Sequence, residues 1–325
     1  MLAPDTLECR PPTIGDRVRS RLLYWRSYSQ RGLVPAPDEK QSAALETLRR
    51  DGFVAFPGYL SKDTLSKMQE ELADSFQKLR FRAPALAQTR IDSVRHKELI
   101  DNFMFGTPDQ LKEWNVLFER DEVKSYEQVI KDFNPSTLTV PMLQYSETYR
   151  NVWLDPFVLG IVANYLGMVP SLVEAYVRRN FPAPYRTMNH HWHRDLNSIH
   201  LLKAFVFLSD CGPENGPHEY IVGTHKRYDL LNSKRYFTEE EVNALYPEGH
   251  EMRKTSVVPA GTVVIEDTRG VHRAMLPTAG WRDLGFMVFM PLRPLYPHQN
   301  YEFPRESFNE LSAFQQAFVP PVMLR

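Results

Sequence analysis

Cysteine is scarce in this chain of 325 residues, which contains only Cys9 and Cys211. Two isolated cysteines cannot build a disulfide framework and lack the C-x-x-C spacing of a zinc knuckle, so we expect a reducing compartment. Long apolar runs are missing too. No stretch approaches the roughly 20 apolar residues of a membrane span, and residues 1–12 lack the apolar core of a signal peptide. We therefore predict a cytoplasmic protein with no membrane partner.

Charge of one sign is not in excess either. Lys and Arg total 39 against 40 Asp and Glu, which gives a net charge of -1. This balance provides no field that would attract nucleic acid, so we expect a small-molecule substrate and no nucleic-acid partner. Hydrophobic residues make up 42% of the chain, which is enough to fill a substantial core. The composition does not distinguish a monomer from a homodimer.

The chain divides into a short N-terminal arm, residues 1–40, and one large domain, residues 41–325. The arm has four arginines between positions 17 and 26, interleaved with apolar residues as in membrane anchors and transit peptides. The acidic residues Asp5 and Asp16 lie among them, however, and favour a surface helix packed on the domain.

The first half of the domain has mainly helical patterns. One short strand is expected at Phe53-Val54-Ala55-Phe56, followed by a helix that Ser61 caps. The pairs Thr107-Pro108 and Asp155-Pro156 each combine a capping residue with proline at the first helical position, so a helix should follow each pair.

From about Ser171 the pattern changes to short strands rich in β-branched and aromatic residues, separated by Gly, Pro and Asn. Such spacing is typical of a sandwich or barrel, so we predict a mainly β domain with flanking helices. An insertion at about 226–253 contains a helix-capping box that begins at Thr238, and it should form a lid over one end. The tail, 292–325, should wrap the body. The predicted strands are 172–179, 201–208, 219–222, 262–266, 271–275 and 284–290.

His193 and Asp195 form the centre of the candidate active site. They stand at i and i+2, which places both side chains on one face of an extended segment and lets them chelate one ion. A third ligand is expected from His272, just after the strand 262–266 and a turn. Two imidazoles and one carboxylate leave one face of Fe(II) open for a cosubstrate and O₂. The sequence therefore predicts a non-haem iron oxygenase.

Alternatives remain for these histidines at this stage. With ten histidines in the chain an H-x-D triplet can arise by chance, and a hydrogen-bonded surface pair is the alternative for His193 and Asp195. His190 and His191 could be ligands, line the pocket mouth or be exposed, but neither has a carboxylate two positions later. His218 and the remaining histidines show no partner pattern.

Arg282 is the candidate anchor for a dicarboxylate cosubstrate such as 2-oxoglutarate. Such a cosubstrate binds iron through one carboxylate and its keto oxygen, so its far carboxylate needs a fixed cation, for which a guanidinium offers two parallel donors. Arg282 begins the strand after His272. The alternative is a surface salt bridge with Asp283. Arg273 is nearer to His272 in sequence, but alternation points it to the opposite face.

Several motifs accompany these residues. They are Arg50-Asp51-Gly52-Phe53-Val54, Phe56-Pro57-Gly58-Tyr59-Leu60-Ser61, Trp192-His193-Arg194-Asp195, Phe205-Val206-Phe207-Leu208-Ser209-Asp210, Glu214-Asn215-Gly216-Pro217 and Val222-Gly223-Thr224-His225-Lys226. Together they resemble the phytanoyl-CoA dioxygenase family of Fe(II)/2-oxoglutarate-dependent oxygenases, over most of the chain. The resemblance implies a double-stranded β-helix, a cupin-like jelly roll. It also implies His193, Asp195 and His272 as iron ligands and Arg282 as the 2-oxoglutarate anchor. Ala274 departs from the family because it replaces a hydroxyl that some members use on the cosubstrate.

The function expected from these residues and from the resemblance is that of a dioxygenase. It would use Fe(II), 2-oxoglutarate and O₂ to hydroxylate a small metabolite, with release of succinate and CO₂. Asp195 argues against a halogenase, in which chloride takes the place of the carboxylate. Desaturation, cyclisation or epimerisation is the alternative outcome, and a non-catalytic metal-binding cupin-like module is the alternative of another class. The candidate substrate contacts are Trp192, Asn197, Arg178 and Phe205.

Overall fold

Two antiparallel β-sheets lie at the centre of the molecule. The structure, a computed structural model, describes residues 13–82, 123–133, 135–183, 186, 188–227, 235–291 and 301–325. In chain order the strands are β1 (Phe53–Phe56), β2 (Phe81–Arg82), β3 (Val123–Lys124), β4 (Thr137–Val140), β5 (Ser171–Asn180), β6 (Trp192–His193), β7 (Leu202–Phe207), β8 (His218–Ile221), β9 (Tyr236–Phe237), β10 (Arg253–Thr255), β11 (Val263–Glu266), β12 (His272–Ala274) and β13 (Arg282–Met290).

The larger sheet has six strands in the order β1-β11-β7-β13-β5-β4, and the smaller has five in the order β10-β8-β12-β6-β9. Strands β2 and β3 form a separate pair. The two large sheets meet through Phe205 on β7 and His218 on β8, whose ring centroids lie 5.7 Å apart. The predicted double-stranded β-helix with flanking helices is confirmed.

Alternation along the six-stranded sheet separates two hydrophobic environments. Val206, Ile265 and Met287 belong to the core that the sheet shares with the helices. Phe205 and Phe286, on neighbouring strands, point the other way, between the sheets. Helix packing on the outer face is close: a Cβ at Gly285 would stand 2.4 Å from the indole of Trp153, so only glycine fits there.

Helices cover the outer face of the six-stranded sheet and the ends of the chain. Ser61 and Asp155 cap two of them as predicted, because each side chain accepts a backbone N–H of the first turn. The helices are α1 (Ile14–Leu23), α2 (Trp25–Ser29), α3 (Glu39–Asp51), α4 (Lys62–Lys78), α5 (Tyr126–Phe133), α6 (Glu147–Trp153), α7 (Pro156–Leu166), α8 (Glu239–Leu245), α9 (Arg305–Glu310) and α10 (Ala313–Gln316).

All six predicted strands between 172 and 290 are present within a residue or two of the expected bounds. The helix expected after Thr107-Pro108 lies outside the described residues. In the insertion, the predicted capping box at Thr238 begins α8. The expectation of only helix and loop there was incomplete, because β9 and β10, on either side of α8, join the five-stranded sheet. Strands of two or three residues are too short for an alternation pattern to reveal them.

The two ends of the described chain pack against the body. In the arm, the hydroxyl of Ser20 on α1 lies 2.7 Å from Nε2 of His200. At the other end, Tyr301 donates to the carbonyl of Leu172 on β5 at 2.7 Å, and the backbone N–H of Leu172 donates to Phe318. Among the helices of the described residues, none combines the length and the apolar character that crossing a bilayer requires.

Candidate metal centre

The three predicted ligands converge on one point of the five-stranded sheet. His193 on β6 and His272 on β12 are direct antiparallel partners, and their ring centroids are 4.2 Å apart. Asp195 follows β6, and its backbone N–H donates to the carbonyl of Thr268 at 2.9 Å. One ligand atom from each of the three residues lies within 4.8 Å of the other two, and all three residues are buried.

Both imidazoles are oriented by backbone carbonyls. Nδ1 of His193 lies 2.8 Å from the oxygen of His191, and Nδ1 of His272 lies 3.0 Å from the oxygen of Gly270. A proton on Nδ1 satisfies each carbonyl and leaves Nε2 with a free lone pair, which is the tautomer that a metal needs. The Nε2 atoms stand 3.9 Å and 3.7 Å from the carboxylate oxygens of Asp195.

Burial keeps the two imidazoles neutral. It lowers the pKa of His193 to about 4, against the opposing effect of Asp195. It also holds the pKa of His272 well below the usual value, with His193 as the next cause. Neutral imidazole is the ligating form, so these shifts favour metal binding at neutral pH.

Asp195 is paired with a cation from the opposite sheet. Nζ of Lys203 on β7 lies 2.6 Å from Oδ2 of Asp195. Burial alone would raise the pKa of the carboxyl, but Lys203, His272 and His193 outweigh it and hold the pKa below its ordinary value. The carboxylate is therefore ionised and ready to bind a cation. Sequence reasoning missed Lys203, which lies eight residues after Asp195 on another sheet.

Two buried residues, Arg194 and Thr224, tie the ligand-bearing strands together. The guanidinium of Arg194 points away from the ligands and donates to the carbonyls of Thr224 and Arg269 at 2.7 and 2.8 Å. The hydroxyl of Thr224 accepts the N–H of Val271 at 2.8 Å and donates to Ile221 at 2.6 Å. The turn around Thr224 thus fixes the segments before both His272 and Asp195. The only sequence signal for this role of Thr224 was its place in the motif Val222-Gly223-Thr224-His225-Lys226.

Arg282 points between the sheets, and the alternative salt bridge with Asp283 is excluded. Asp283 faces the other way and pairs with Arg179 at 2.6 Å. Arg282 is almost fully buried, donates to the carbonyl of Gly216 and has Nη2 at 3.3 Å from Oδ1 of Asn180. Burial lowers the pKa of Arg282 to about 10, so the side chain remains charged at neutral pH.

Gly216, in the Glu-Asn-Gly-Pro motif, is shaped for its contact with Arg282. Its φ is +72°, and a Cβ there would lie 2.4 Å from the carbonyl of Met275. Only glycine therefore lets this turn approach the neighbouring strand and present its oxygen to the guanidinium.

Arg178 and Phe205, two of the candidate substrate contacts, line the space between the sheets. The guanidinium of Arg178 lies over the ring of Phe286 at 4.7 Å and donates to the hydroxyl of Tyr176 at 3.1 Å. Phe205 meets Phe286 edge to face, with centroids 4.9 Å apart. The ring of Phe205 also contacts His218, which stacks on His272 with centroids 5.3 Å apart. A continuous set of contacts thus leads from Arg178 to His272, one of the predicted metal ligands.

Trp192 and Asn197 lie elsewhere. Trp192 is on the face of β6 opposite His193, between the guanidiniums of Arg273 and Arg253 at 4.5 and 5.1 Å. Its predicted contact with substrate is therefore wrong, because adjacent residues on a strand face opposite sides. Asn197 is exposed. Arg273 pairs with Glu219 on the outer side, as alternation predicted.

His190 and His218 lie close to the site, but neither belongs to the group of residues that could hold a metal. Burial, with Arg282 and Arg178 as further causes, lowers the pKa of His190 to about 3. Nε2 of His218 lies 2.9 Å from Oε2 of the fully buried Glu266. In the described residues, the group that could hold a metal consists of His193, Asp195 and His272.

The residues fit the cofactors of a non-haem iron enzyme. Two imidazoles and one carboxylate, all buried and with free Nε2 atoms, are the donor set of an Fe(II) facial triad. Nε of Arg282 is buried and has no hydrogen-bond partner among the described residues. A buried guanidinium with an unsatisfied donor suits a carboxylate.

Comparison with solved structures finds several chains to which this chain is distantly similar. The epimerase SnoN, in complex with Fe3+, alpha ketoglutarate and nogalamycin RO, is 18% identical with a TM-score of 0.48, covering 78% of this chain and 84% of its own. The carbocyclase SnoK from nogalamycin biosynthesis is 18% identical with a TM-score of 0.48, covering 86% and 94%. EctD from S. alaskensis with bound Fe is 16% identical with a TM-score of 0.47, covering 80% and 83%. No curated protein matches in sequence.

A family model described as "Phytanoyl-CoA dioxygenase (PhyH)" matches residues 48–282. The match contains His193, Asp195, His272 and Arg282. It confirms the class predicted from the sequence, a non-haem enzyme dependent on Fe(II) and 2-oxoglutarate. Because the match spans well over half of the 325 residues, the chain belongs to the phytanoyl-CoA dioxygenase family.

Proposed function

We propose that this protein is an Fe(II)/2-oxoglutarate-dependent dioxygenase that hydroxylates a small-molecule metabolite, with His193, Asp195 and His272 as iron ligands. The observation that carries the proposal is the convergence of three buried ligand atoms within 4.8 Å. Arg282 supports it as the anchor for the far carboxylate of 2-oxoglutarate. When bound, Fe(II), 2-oxoglutarate and O₂ supply the oxidising chemistry and release succinate and CO₂.

The chain's own residues orient the reactants and keep the site dry. The carbonyls of His191 and Gly270 fix the two imidazoles with Nε2 toward the metal. Lys203 holds one oxygen of Asp195, which favours metal binding through the other. Phe205 and Phe286 place an apolar surface beside the proposed ligands, and charged contacts that are shielded from water are stronger than in solvent.

Polar and aromatic groups between the two sheets support a small substrate. Arg178, held on Phe286, offers a cation to a carboxylate or phosphate of the substrate, and Phe205 offers an apolar surface. Asn197 would contact substrate only at the mouth, because it is exposed. Desaturation, cyclisation or epimerisation would use the same ligands. We keep the cytoplasm as the proposed compartment, since the described cysteine, Cys211, is a buried free thiol.

Succinate release tests the proposal. The protein, loaded anaerobically with Fe(II) and 2-oxoglutarate, should show a visible charge-transfer band, and it should release succinate with O₂ when a panel of metabolites is added. Asp195→Ala should lose both signals, because it removes one of three ligands. Asp63→Ala, which changes an exposed aspartate on α4 outside the triad, serves as the matched control. Undiminished succinate release by Asp195→Ala would remove this carboxylate from the mechanism, and a band without turnover would favour a non-catalytic module.

A further inference from the structure

A cavity lies between the N-terminal arm and the body of the domain. Its volume is about 600 Å³, which is in the size range of small-molecule sites. The arm contributes α1 and the segment after it, and the body contributes the end of α3, the end of α7 and three loops. The cationic residues that line it are Arg17, Arg21, Arg31, Arg49, Lys226 and Arg269.

The lining is strongly positive. Neither aspartate nor glutamate occurs among the described residues that line this cavity. Arg269 is neutralised by Asp267, and Arg49 donates to the carbonyl of Asn164 at 3.3 Å. Arg17, Arg31 and Lys226, in contrast, have no carboxylate partner within the described parts of the chain. Several uncompensated cations around one cavity repel each other, and that repulsion is relieved when an anion binds.

We propose that this cavity binds a ligand carrying a diphosphate, or two phosphoryl groups, joined to an organic part. Guanidiniums donate in pairs to phosphate oxygens, and several cations from both walls match more than one phosphoryl group. The organic part would pack on the apolar lining, which includes Tyr28, Leu166 and Ile199. The proposal stands apart from the proposed oxygenase activity, since binding does not require turnover.

The cavity borders the loops that carry two proposed metal ligands. His200, in the lining, follows Asp195 by five residues, and Arg269 precedes His272 by three. Arg269 also donates to the carbonyl of Ile199 at 2.8 Å and so joins the two loops. The phosphorylated ligand would therefore be either an extension of the substrate or a separate effector.

A lipid surface is the competing occupant. On α1 and just after it, Leu22, Leu23 and Trp25 are exposed outside the cavity, whereas the exposed Ile14 and Val18 line it. A basic helix with such apolar residues can bind anionic bilayers. The cations favour the soluble ligand, because Arg49, Lys226 and Arg269 belong to the body and close the inner wall of a concave cavity. A bilayer would contact the outer face of α1 and leave that wall unused.

Calorimetric titration of the full chain with inorganic pyrophosphate tests the proposal. No iron is added, because pyrophosphate chelates Fe(II). At 0.15 M salt we expect one site with a Kd below about 1 mM. The double variant Arg17→Gln/Arg31→Gln should bind at least about tenfold more weakly. Lys62→Gln/Lys67→Gln removes two exposed charges of α4 outside the cavity and should bind like the wild type, as should Arg282→Met. Circular dichroism checks that each variant keeps its helices.

Several outcomes would overturn the proposal. One is the absence of any heat of pyrophosphate binding in the wild type, and another is an equal loss of affinity in both double variants. A loss of affinity in Arg282→Met alone would place the anion at the cosubstrate anchor. Binding of the protein to phosphatidylserine vesicles without binding of pyrophosphate would assign the surface to lipid. A second measurement decides whether the phosphorylated ligand is the substrate or a separate effector. It compares succinate release with metabolites and with their phosphorylated forms. A preference for the phosphorylated form that Arg17→Gln/Arg31→Gln abolishes identifies the substrate, whereas pyrophosphate binding without such a preference identifies an effector.

Discussion

Lys203 reaches across from the six-stranded sheet to Asp195, with Nζ and Oδ2 2.6 Å apart. The same ammonium lies 5.3 Å from the ring centroid of Phe286, so its position is fixed by the cavity wall as well as by the carboxylate. A cation at this position compensates the charge of the proposed ligand and directs one of its two oxygens. We therefore propose that Lys203 is a positioning residue of the candidate metal centre.

Replacing Lys203 should weaken metal binding. Lys203→Met removes the compensating charge and frees the carboxylate to rotate, so we expect Fe(II) affinity to fall about tenfold. Lys203→Arg keeps the charge and should retain most of the affinity. Anaerobic Fe(II) titration, followed by the 2-oxoglutarate-dependent visible band, measures both. Unchanged affinity in Lys203→Met would show that the ion pair does not orient Asp195.

Arg282 should control the affinity for 2-oxoglutarate without affecting the metal. Arg282→Met removes the charged donors of a buried site, so we expect the KM for 2-oxoglutarate to rise about 100-fold. Arg282→Lys keeps the charge but loses the paired donors, and an intermediate rise is expected. Arg305→Met, at an exposed position on α9, is the control. Succinate release at varied 2-oxoglutarate measures the KM, and equal values for Arg282→Met and wild type would assign the cosubstrate to another cation.

Thr224 should be needed for stability through its hydroxyl. Thr224→Val leaves the buried N–H of Val271 and the carbonyl of Ile221 without this partner, so we expect a loss of about 1–3 kcal/mol in the free energy of unfolding. Thr224→Ser keeps the hydroxyl and loses only a methyl group, so it is the matched control. Urea unfolding of the two variants gives the difference. Equal destabilisation by valine and serine would mean that the methyl packing, and not the hydrogen bonds, is what matters.

The sequence predicted those parts of the site that depend on local patterns. The i, i+2 spacing of His193 and Asp195 follows from strand alternation, and the structure brings both side chains together with His272. The expectation that Arg282 lies on the strand next to that of His272 was wrong, because consecutive strands β12 and β13 belong to different sheets. The pairing of Lys203 with Asp195 could not be predicted, because it depends on how the two sheets face each other. Trp192 was assigned to the wrong face although alternation with His193 could have corrected it.

Histidine burial should make the metal-free protein less stable as the pH falls. The pKa of His193 is about 4 in the folded state and about 6.5 in an unfolded chain. The unfolded state thus binds more protons between these values, and stability is greatest above about pH 6.5 and is lost toward pH 4. For His193 alone the loss from pH 7 to pH 5 is about 2 kcal/mol. His193→Gln removes this group. Between pH 7 and pH 5 the free energy of unfolding of the variant, measured with urea, should therefore decrease by about 2 kcal/mol less than that of the wild type. Identical losses in both proteins would mean that His193 is as easily protonated in the folded state as in the unfolded one, which its burial opposes.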